Sequence, residues 1–355
     1  MGCGLWGTLS MIAATSGGVI PKTASGGRAR DRRHARGATD TLATLPRMTN
    51  QLARLLHLLA TLVGRLPWPW LMRLGDGLAA FWRWRDVRER RVARRNLELA
   101  FPSATPAERE ALHAAILRTT ARQVLETMRL WTRPHAENLA LIRDVHGAPV
   151  LDAAIAAGHG VIIAAPHYGN WELLNQWLAT RTPLAILYRA PESAIGEAFL
   201  QSVRADRDRV TQIRAEGPAV RQLFKWLGAG GVVGILPDQQ PKAGDGEFAP
   251  FFGVPALTMT LLGRLGARTG ATVLMAWCER VESHPGRPPV FDLHIEAAPE
   301  AIADADPTVA VQALNAVVER IARRDPAQYQ WTYKRYTLRP PGSGEPNPYW
   351  VGATE

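Results

Sequence analysis

The segment Gly160-Val-Ile-Ile-Ala-Ala-Pro-His167-Tyr-Gly-Asn170-Trp-Glu172 holds the side chains best suited to chemistry. A short apolar run ends at Pro166, His167 falls in a turn, and a helical pattern starts near Asn170, so the imidazole emerges at the carboxyl end of a strand and beside a helix N-terminus. Open α/β sheets bind ligands at that edge. Glu172 stands five residues later in the first helical turn, where a tight turn lets its carboxylate reach back to one ring nitrogen. A carboxylate on one nitrogen sets the tautomer and raises the basicity of the other, which is what a general base at neutral pH requires. The pair by itself also fits a plain structural reading, because an acid in the first turn is favoured by the helix dipole.

Other chemistries fail on residue type or order. Two cysteines, Cys3 and Cys278, supply neither a disulfide framework nor a four-ligand zinc site, and the His/Glu pair lacks the third ligand of a catalytic zinc, so no metal and no cofactor is expected. There is no Gly-x-Ser-x-Gly elbow. The run Gly228-Ala-Gly230-Gly231-Val-Val-Gly234 precedes its strand, whereas a dinucleotide fingerprint follows one, so it reads as a helix C-cap and a turn.

The elements that must position His167 follow from periodicity. Strands are expected at Gly160–Ala165, Leu184–Tyr188, Val232–Leu236, Thr272–Cys278 and Val290–Ile295, and helices at Trp171–Ala179, Glu192–Val203, Ala219–Leu227, Ala256–Arg268 and Pro307–Arg323. Asp306 and Pro307 give the last helix an N-cap and an N1 proline. Such alternation predicts an α/β fold, a mixed and mostly parallel sheet flanked by helices, over residues 134–340. A further helix is expected over Thr105–Trp131, with Leu117, Ala121, Val124, Met128 and Trp131 on one apolar face. Two more positions fall just after strands, on the same edge as His167: Arg189, and the pair Asp238-Gln239, as groups that hydrogen-bond substrate or fix a turn.

Charge separates the chain into unequal parts. The 355 residues carry +10, with 42 Lys+Arg against 32 Asp+Glu, distributed as +5 over 1–47, +8 over 48–133 and −3 over 134–355. Residues 1–47 lack periodicity and read as a disordered or mis-called leader, with the start expected at Met48. The stretch 48–133 is different in kind. An apolar helix from Gln51 is too short to cross hydrocarbon, and it leads into a segment rich in Trp and Arg. It reads as a membrane-associating region, with Trp68, Trp70, Trp82 and Trp84 at headgroup depth and Arg83, Arg85, Arg88, Arg90, Arg91, Arg94 and Arg95 on lipid phosphates. A buried helix with a solvated basic face is the plainer alternative. Arginine count alone does not make a nucleic-acid binder when the same stretch is rich in Trp and Leu, so no nucleic-acid partner is expected. Residues 341–355 read as a flexible tail.

His167-Tyr-Gly-Asn-Trp-Glu172 is similar to the H-x4-D/E motif of glycerolipid-type acyltransferases, and the chain resembles the lipid A biosynthesis (lauroyl/myristoyl) acyltransferases. Ordered blocks carry the resemblance over about residues 50–340: Arg95-Asn-Leu-Glu-Leu-Ala-Phe-Pro102, Tyr188-Arg189-Ala-Pro, Leu236-Pro-Asp238-Gln239, Pro250-Phe-Phe-Gly253-Val-Pro-Ala and Gln328-Tyr-Gln-Trp-Thr-Tyr-Lys-Arg335. In the last block Tyr333 stands where that family often has His. The resemblance implies transfer of a fatty acyl chain from acyl carrier protein to a hydroxyl on a hydroxyacyl chain of a Kdo-bearing lipid A precursor, without an acyl-enzyme. His167 would be the base and Glu172 its orienter. Arg189 would hold a phosphate or the developing oxyanion, Asn170, Asp238 and Gln239 would contact substrate, and Arg335 would reach a sugar phosphate. The same resemblance, with the positive-inside tendency, implies the cytoplasmic face of the bacterial inner membrane and anionic lipid as a partner. The alternatives are acylation of another membrane lipid, a lysophospholipid or an aminolipid, and a non-catalytic membrane-binding module.

Overall fold

The computed structural model describes residues 35–189, 191, 193–203, 209–282 and 287–350. Its first third is helical: α1 (Ala35–Gly64), α2 (Trp68–Trp84), α3 (Arg88–Ala100), α4 (Pro106–Thr132) and the short α5 (His135–Leu139). There follow β1 (Ile142–His146), α6 (Ala148–Ala156), β2 (Val161–Ala164), α7 (Trp171–Arg181), β3 (Leu184–Tyr188), α8 (Ala194–Val203), β4 (Val210–Arg214), α9 (Ala219–Gly228) and β5 (Val232–Ile235). A hairpin of β6 (Gly246–Phe251) and β7 (Val254–Met259) precedes α10 (Leu261–Thr269), β8 (Thr272–Glu282), β9 (Val290–Ala297) and α11 (Pro307–Ala322).

Seven strands form one sheet in the order β1-β9-β8-β2-β5-β3-β4. All neighbours are parallel except β8 and β9, so the expected mixed, mostly parallel sheet is present. Side chains alternate across it. Ile162 and Ala164 of β2 face one core with Leu117 of α4 and Leu314 of α11, whereas Val161 and Ile163 face the other with Leu151 of α6 and Leu173, Leu174 and Leu178 of α7. Burial on both faces is why β2 and β5 read as unbroken apolar runs rather than alternating ones.

Two strands the periodicity did not predict, β1 (IRDVH) and β4 (VTQIR), lie at the sheet's two edges, where polar side chains meet solvent and no apolar run is needed. The helix expected over Ala256–Arg268 begins only at Leu261. Val254–Met259 is instead the second strand of the hairpin, which turns at Phe252 (φ 52°) and Gly253 (φ 75°). Two consecutive left-handed residues are what a two-residue hairpin turn requires. Helix α11 has the expected cap, Asp306 accepting from the Thr308 N–H at 2.8 Å.

In the N-terminal region α4 is buried on most of its circumference and carries α1, α2 and α3 around it. Trp82, expected at headgroup depth, instead packs in the core with Leu97 and Ile116. Trp68 is half-buried beneath the Arg129 guanidinium at 4.6 Å. Trp70 and Trp84 are 61% and 73% exposed, with Arg73 and Arg85 over their rings. Helix α1 crosses the boundary expected at Met48, and residues 1–34 of the expected leader lie outside the described residues. Residues 341–350 fold back on α3, where Tyr349 donates to Asn96 and Arg95 donates to the Pro348 carbonyl at 3.0 Å.

Candidate active site

Parallel strands in register deliver their following loops side by side. Ala164 of β2 pairs with Ile235 of β5, so His167 and Asp238, each three residues farther on, emerge together at one sheet edge. The Asp238 carboxylate takes both N–H groups of the histidine: Oδ1 lies 2.7 Å from the ring Nδ1, and Oδ2 accepts from the backbone N–H at 3.0 Å. Asp238 is only 4% exposed. Burial alone would raise its pKa, but the adjacent imidazole charge and the two His167 hydrogen bonds outweigh it and hold the carboxyl below its ordinary range. An ionised carboxylate can only accept, so Nδ1 carries a proton, and in the neutral ring Nε2 then presents a lone pair.

The turn bearing His167 is fastened from several directions. Gln330 N–H donates to the His167 carbonyl at 3.0 Å, Gly169 N–H to the Gln328 carbonyl at 3.1 Å, and Asn170 N–H to the Cys278 carbonyl at 2.8 Å. Gln123 of α4 donates its side-chain amide to the Gly169 carbonyl. Gly169 has φ 58°, and a Cβ there would lie 1.8 Å from the Cys278 carbonyl oxygen, so only glycine fits. Behind the turn, Tyr168 donates to Glu279 at 2.7 Å, and Arg324 donates to the same carboxylate at 2.8 Å. The edge of Trp171 packs on the His167 ring at a centroid distance of 5.0 Å. The imidazole is therefore held in one orientation by the fold itself.

His167 opens onto a cavity of about 470 Å³ whose lining is largely apolar and carries charges of both signs. Trp171, Ile186, Leu200, Ile235 and Leu261 supply apolar wall, Arg189, Lys242 and Arg264 contribute positive charge, and Glu216 and Asp245 negative charge. A lining of this kind suits a ligand with a hydrocarbon part and a polar part.

The residues expected at the site divide into two groups. His167, Arg189 and Gln239 line the cavity, with Asp238 directly behind His167. The orienting carboxylate on Nδ1 is Asp238, where the sequence reading placed Glu172; Glu172 is buried in the first turn of α7. Asn170, expected to contact substrate, is 1% exposed, and its side chain caps α7 by accepting from the Leu173 N–H. Arg335, expected to reach a sugar phosphate, is engaged within the protein. It is 3% exposed, and it donates to the Leu257 carbonyl and to Thr258, clamping the hairpin. Gln330 was not singled out from sequence, yet it borders the cavity and bonds to the catalytic turn. Its place in the ordered terminal block was the available signal.

Comparison with known proteins agrees with this geometry. The family model for bacterial lipid A biosynthesis acyltransferases matches residues 44–337. The chain is 28% identical over 282 residues to the lipid A biosynthesis palmitoleoyltransferase of Escherichia coli K12, covering 78% of this chain and 88% of that one. It is 26% identical over 281 residues to the lauroyltransferase of the same organism, covering 79% and 90%. A more distant likeness is to the phosphatidylinositol mannoside acyltransferase of Mycobacterium tuberculosis H37Rv, 29% identical over 181 residues and covering 50% of this chain and 56% of that one. The family match over residues 44–337 places this protein among the bacterial lipid A biosynthesis acyltransferases.

Proposed function

We propose that this acyltransferase moves a fatty acyl chain from acyl carrier protein to a hydroxyl on a hydroxyacyl chain of a Kdo-bearing lipid A precursor. The observation that carries the reading is the His167–Asp238 pair, with His167 at the wall of a largely apolar cavity. His167 Nε2 takes the proton of the acceptor hydroxyl as its oxygen attacks the thioester carbonyl. Asp238 fixes the ring and stabilises the imidazolium that forms. The same proton then passes to the departing thiolate, so no acyl-enzyme is needed. Arg189, at the end of β3, serves an anionic group of one substrate, and Glu172, buried in the first turn of α7, supports the turn that carries His167.

The N-terminal helices provide the lipid contact in this reading. Among the described residues no helix is long and apolar enough to cross a membrane. Leu52, Leu55, Leu58, Leu59 and Leu62 of α1 are nonetheless exposed, as are Trp70, Phe81 and Trp84 of α2. A stripe of leucines beside Trp and Arg suits a helix lying in the interface of an anionic bilayer, on the cytoplasmic face of the inner membrane where acyl carrier protein is available.

The test is to incubate the purified protein with the Kdo-bearing precursor and acyl carrier protein charged with a series of chain lengths, and to weigh the product. One added acyl group is the expected outcome. Acylation of a lysophospholipid in place of the precursor would overturn the acceptor, and full activity in His167→Ala would overturn the mechanism.

A further inference from the structure

The outer ring nitrogen of His167 is capped by a neighbouring amide. Gln239 Nε2 lies 3.1 Å from His167 Nε2 and 3.2 Å from Gln330 Oε1. With Nδ1–H committed to Asp238, Nε2 of the neutral ring is an acceptor, and the Gln239 amide nitrogen facing it is the donor. One of its two hydrogens goes to the base and the other to Gln330. Gln330 in turn is anchored by its own backbone N–H to the His167 carbonyl, so the donor, its support and the base form one closed ring. Both glutamines border the reaction cavity.

An acceptor hydroxyl that gives its proton to Nε2 must take the place Gln239 occupies. The displaced amide keeps its bond to Gln330 and is left beside the attacking oxygen with one hydrogen unspent. We propose that this N–H receives the oxyanion of the tetrahedral intermediate: Gln239 is a catalytic residue, and Gln330 is the positioning residue that holds it. As the hydroxyl oxygen bonds to the carbonyl carbon, its proton passes to Nε2 and the carbonyl π pair moves onto oxygen, where the Gln239 N–H meets it. When the pair returns, the carbon–sulfur bond breaks and the thiolate leaves with the proton from Nε2. A neutral amide pre-aimed in a water-poor site is the kind of group that stabilises charge only as it develops. The inference rests on His167 being the base of thioester transfer.

The experiment compares Gln239→Met, Gln239→Glu, Gln330→Met and His167→Ala in the full chain, using the acyl carrier protein thioester and the lipid acceptor, with thermal melting as the check on folding. Gln239→Met lowers kcat by about 10² to 10³ with little change in either KM. Gln239→Glu, which keeps the shape and loses the donor, falls at least as far. Gln330→Met retains the donor but not its aim, and loses about tenfold. The pH profiles add a signed readout. Removing a donor that favours neutral imidazole moves the acid-limb midpoint of kcat/KM upward, because that profile reports the free enzyme, and leaves the midpoint of kcat in place. Wild-type kcat in Gln239→Met beside an inactive His167→Ala overturns this inference alone. An active His167→Ala overturns the reading of the site, and this inference with it.

Discussion

Asp238 holds His167 by both its ring and its backbone, at 2.7 Å and 3.0 Å, across 71 residues of chain. Asp238→Asn therefore removes the charge that stabilises imidazolium and admits the wrong tautomer. It is expected to lower kcat by about 10² to 10⁴ at neutral pH. Glu172→Gln is expected to fall less. Steady-state rates on the two variants decide the matter, and a larger loss in Glu172→Gln returns the orienting role to Glu172.

Arg189 and Arg335 look alike in sequence as basic residues near a site, but they differ in what they touch. Arg335 donates to the Leu257 carbonyl and Thr258 and lies over the Phe251 ring at 5.5 Å. Arg335→Ala leaves buried acceptors unpaired and should destabilise by roughly 3 kcal/mol. Exposed Arg189 borders the cavity, so Arg189→Ala should leave the melting temperature in place and raise KM or lower kcat. Denaturant midpoints and kinetics on the same preparations separate the two.

Acid sensitivity is expected from Glu279. Burial would raise its pKa, yet the His294 ring, Arg324 and Tyr168 together bring it down from the usual 4.5 to about 2. A carboxyl depressed on folding contributes stability that is complete above the unfolded value and disappears as pH falls through the folded one. The contribution at neutral pH is about 3 kcal/mol. Urea unfolding of wild type and Glu279→Gln should show a gap that narrows from about pH 4.5 downward; a gap unchanged across that window would refute the assignment.

Membrane attachment is expected to depend on the α1 leucines more than on the arginines around them. Several of those arginines already have partners in the protein: Arg91 pairs with Asp86, Arg94 with Glu110 and Arg95 with Glu98. Replacing Leu55, Leu58 and Leu62 by Asp removes apolar contact worth roughly 1.5 to 3 kcal/mol per side chain. Flotation with anionic vesicles should show loss of binding in that triple variant, whereas raised salt weakens the wild type only partly. Complete release of the wild type by salt would make the arginines the anchor.

Much of the catalytic region was legible because its helices and central strands announce themselves locally. Ile162 and Val233 belong to short apolar runs bounded by glycine, and Asp306-Pro307 marks a helix start by capping chemistry alone. Edge strands such as Val210–Arg214 were silent, since one solvated face and a single neighbour ask little of the side chains. Val254–Met259 was misread as helix because its hairpin depends on the backbone at Phe252 and Gly253, which composition does not reveal.

The local sequence by itself determined that a histidine leaves the end of a buried strand with a helix starting behind it. Strand length, the proline and the helix cap are all encoded within a dozen residues. Only the tertiary structure decided which carboxylate serves that histidine, which amide caps it, and that Asn170 and Arg335 hold the framework. Those relationships follow from the register in which β2 lies beside β5 and from the return of the 328–335 segment across the turn. They are contacts between stretches far apart in the chain, and local periodicity carries no information about such pairings.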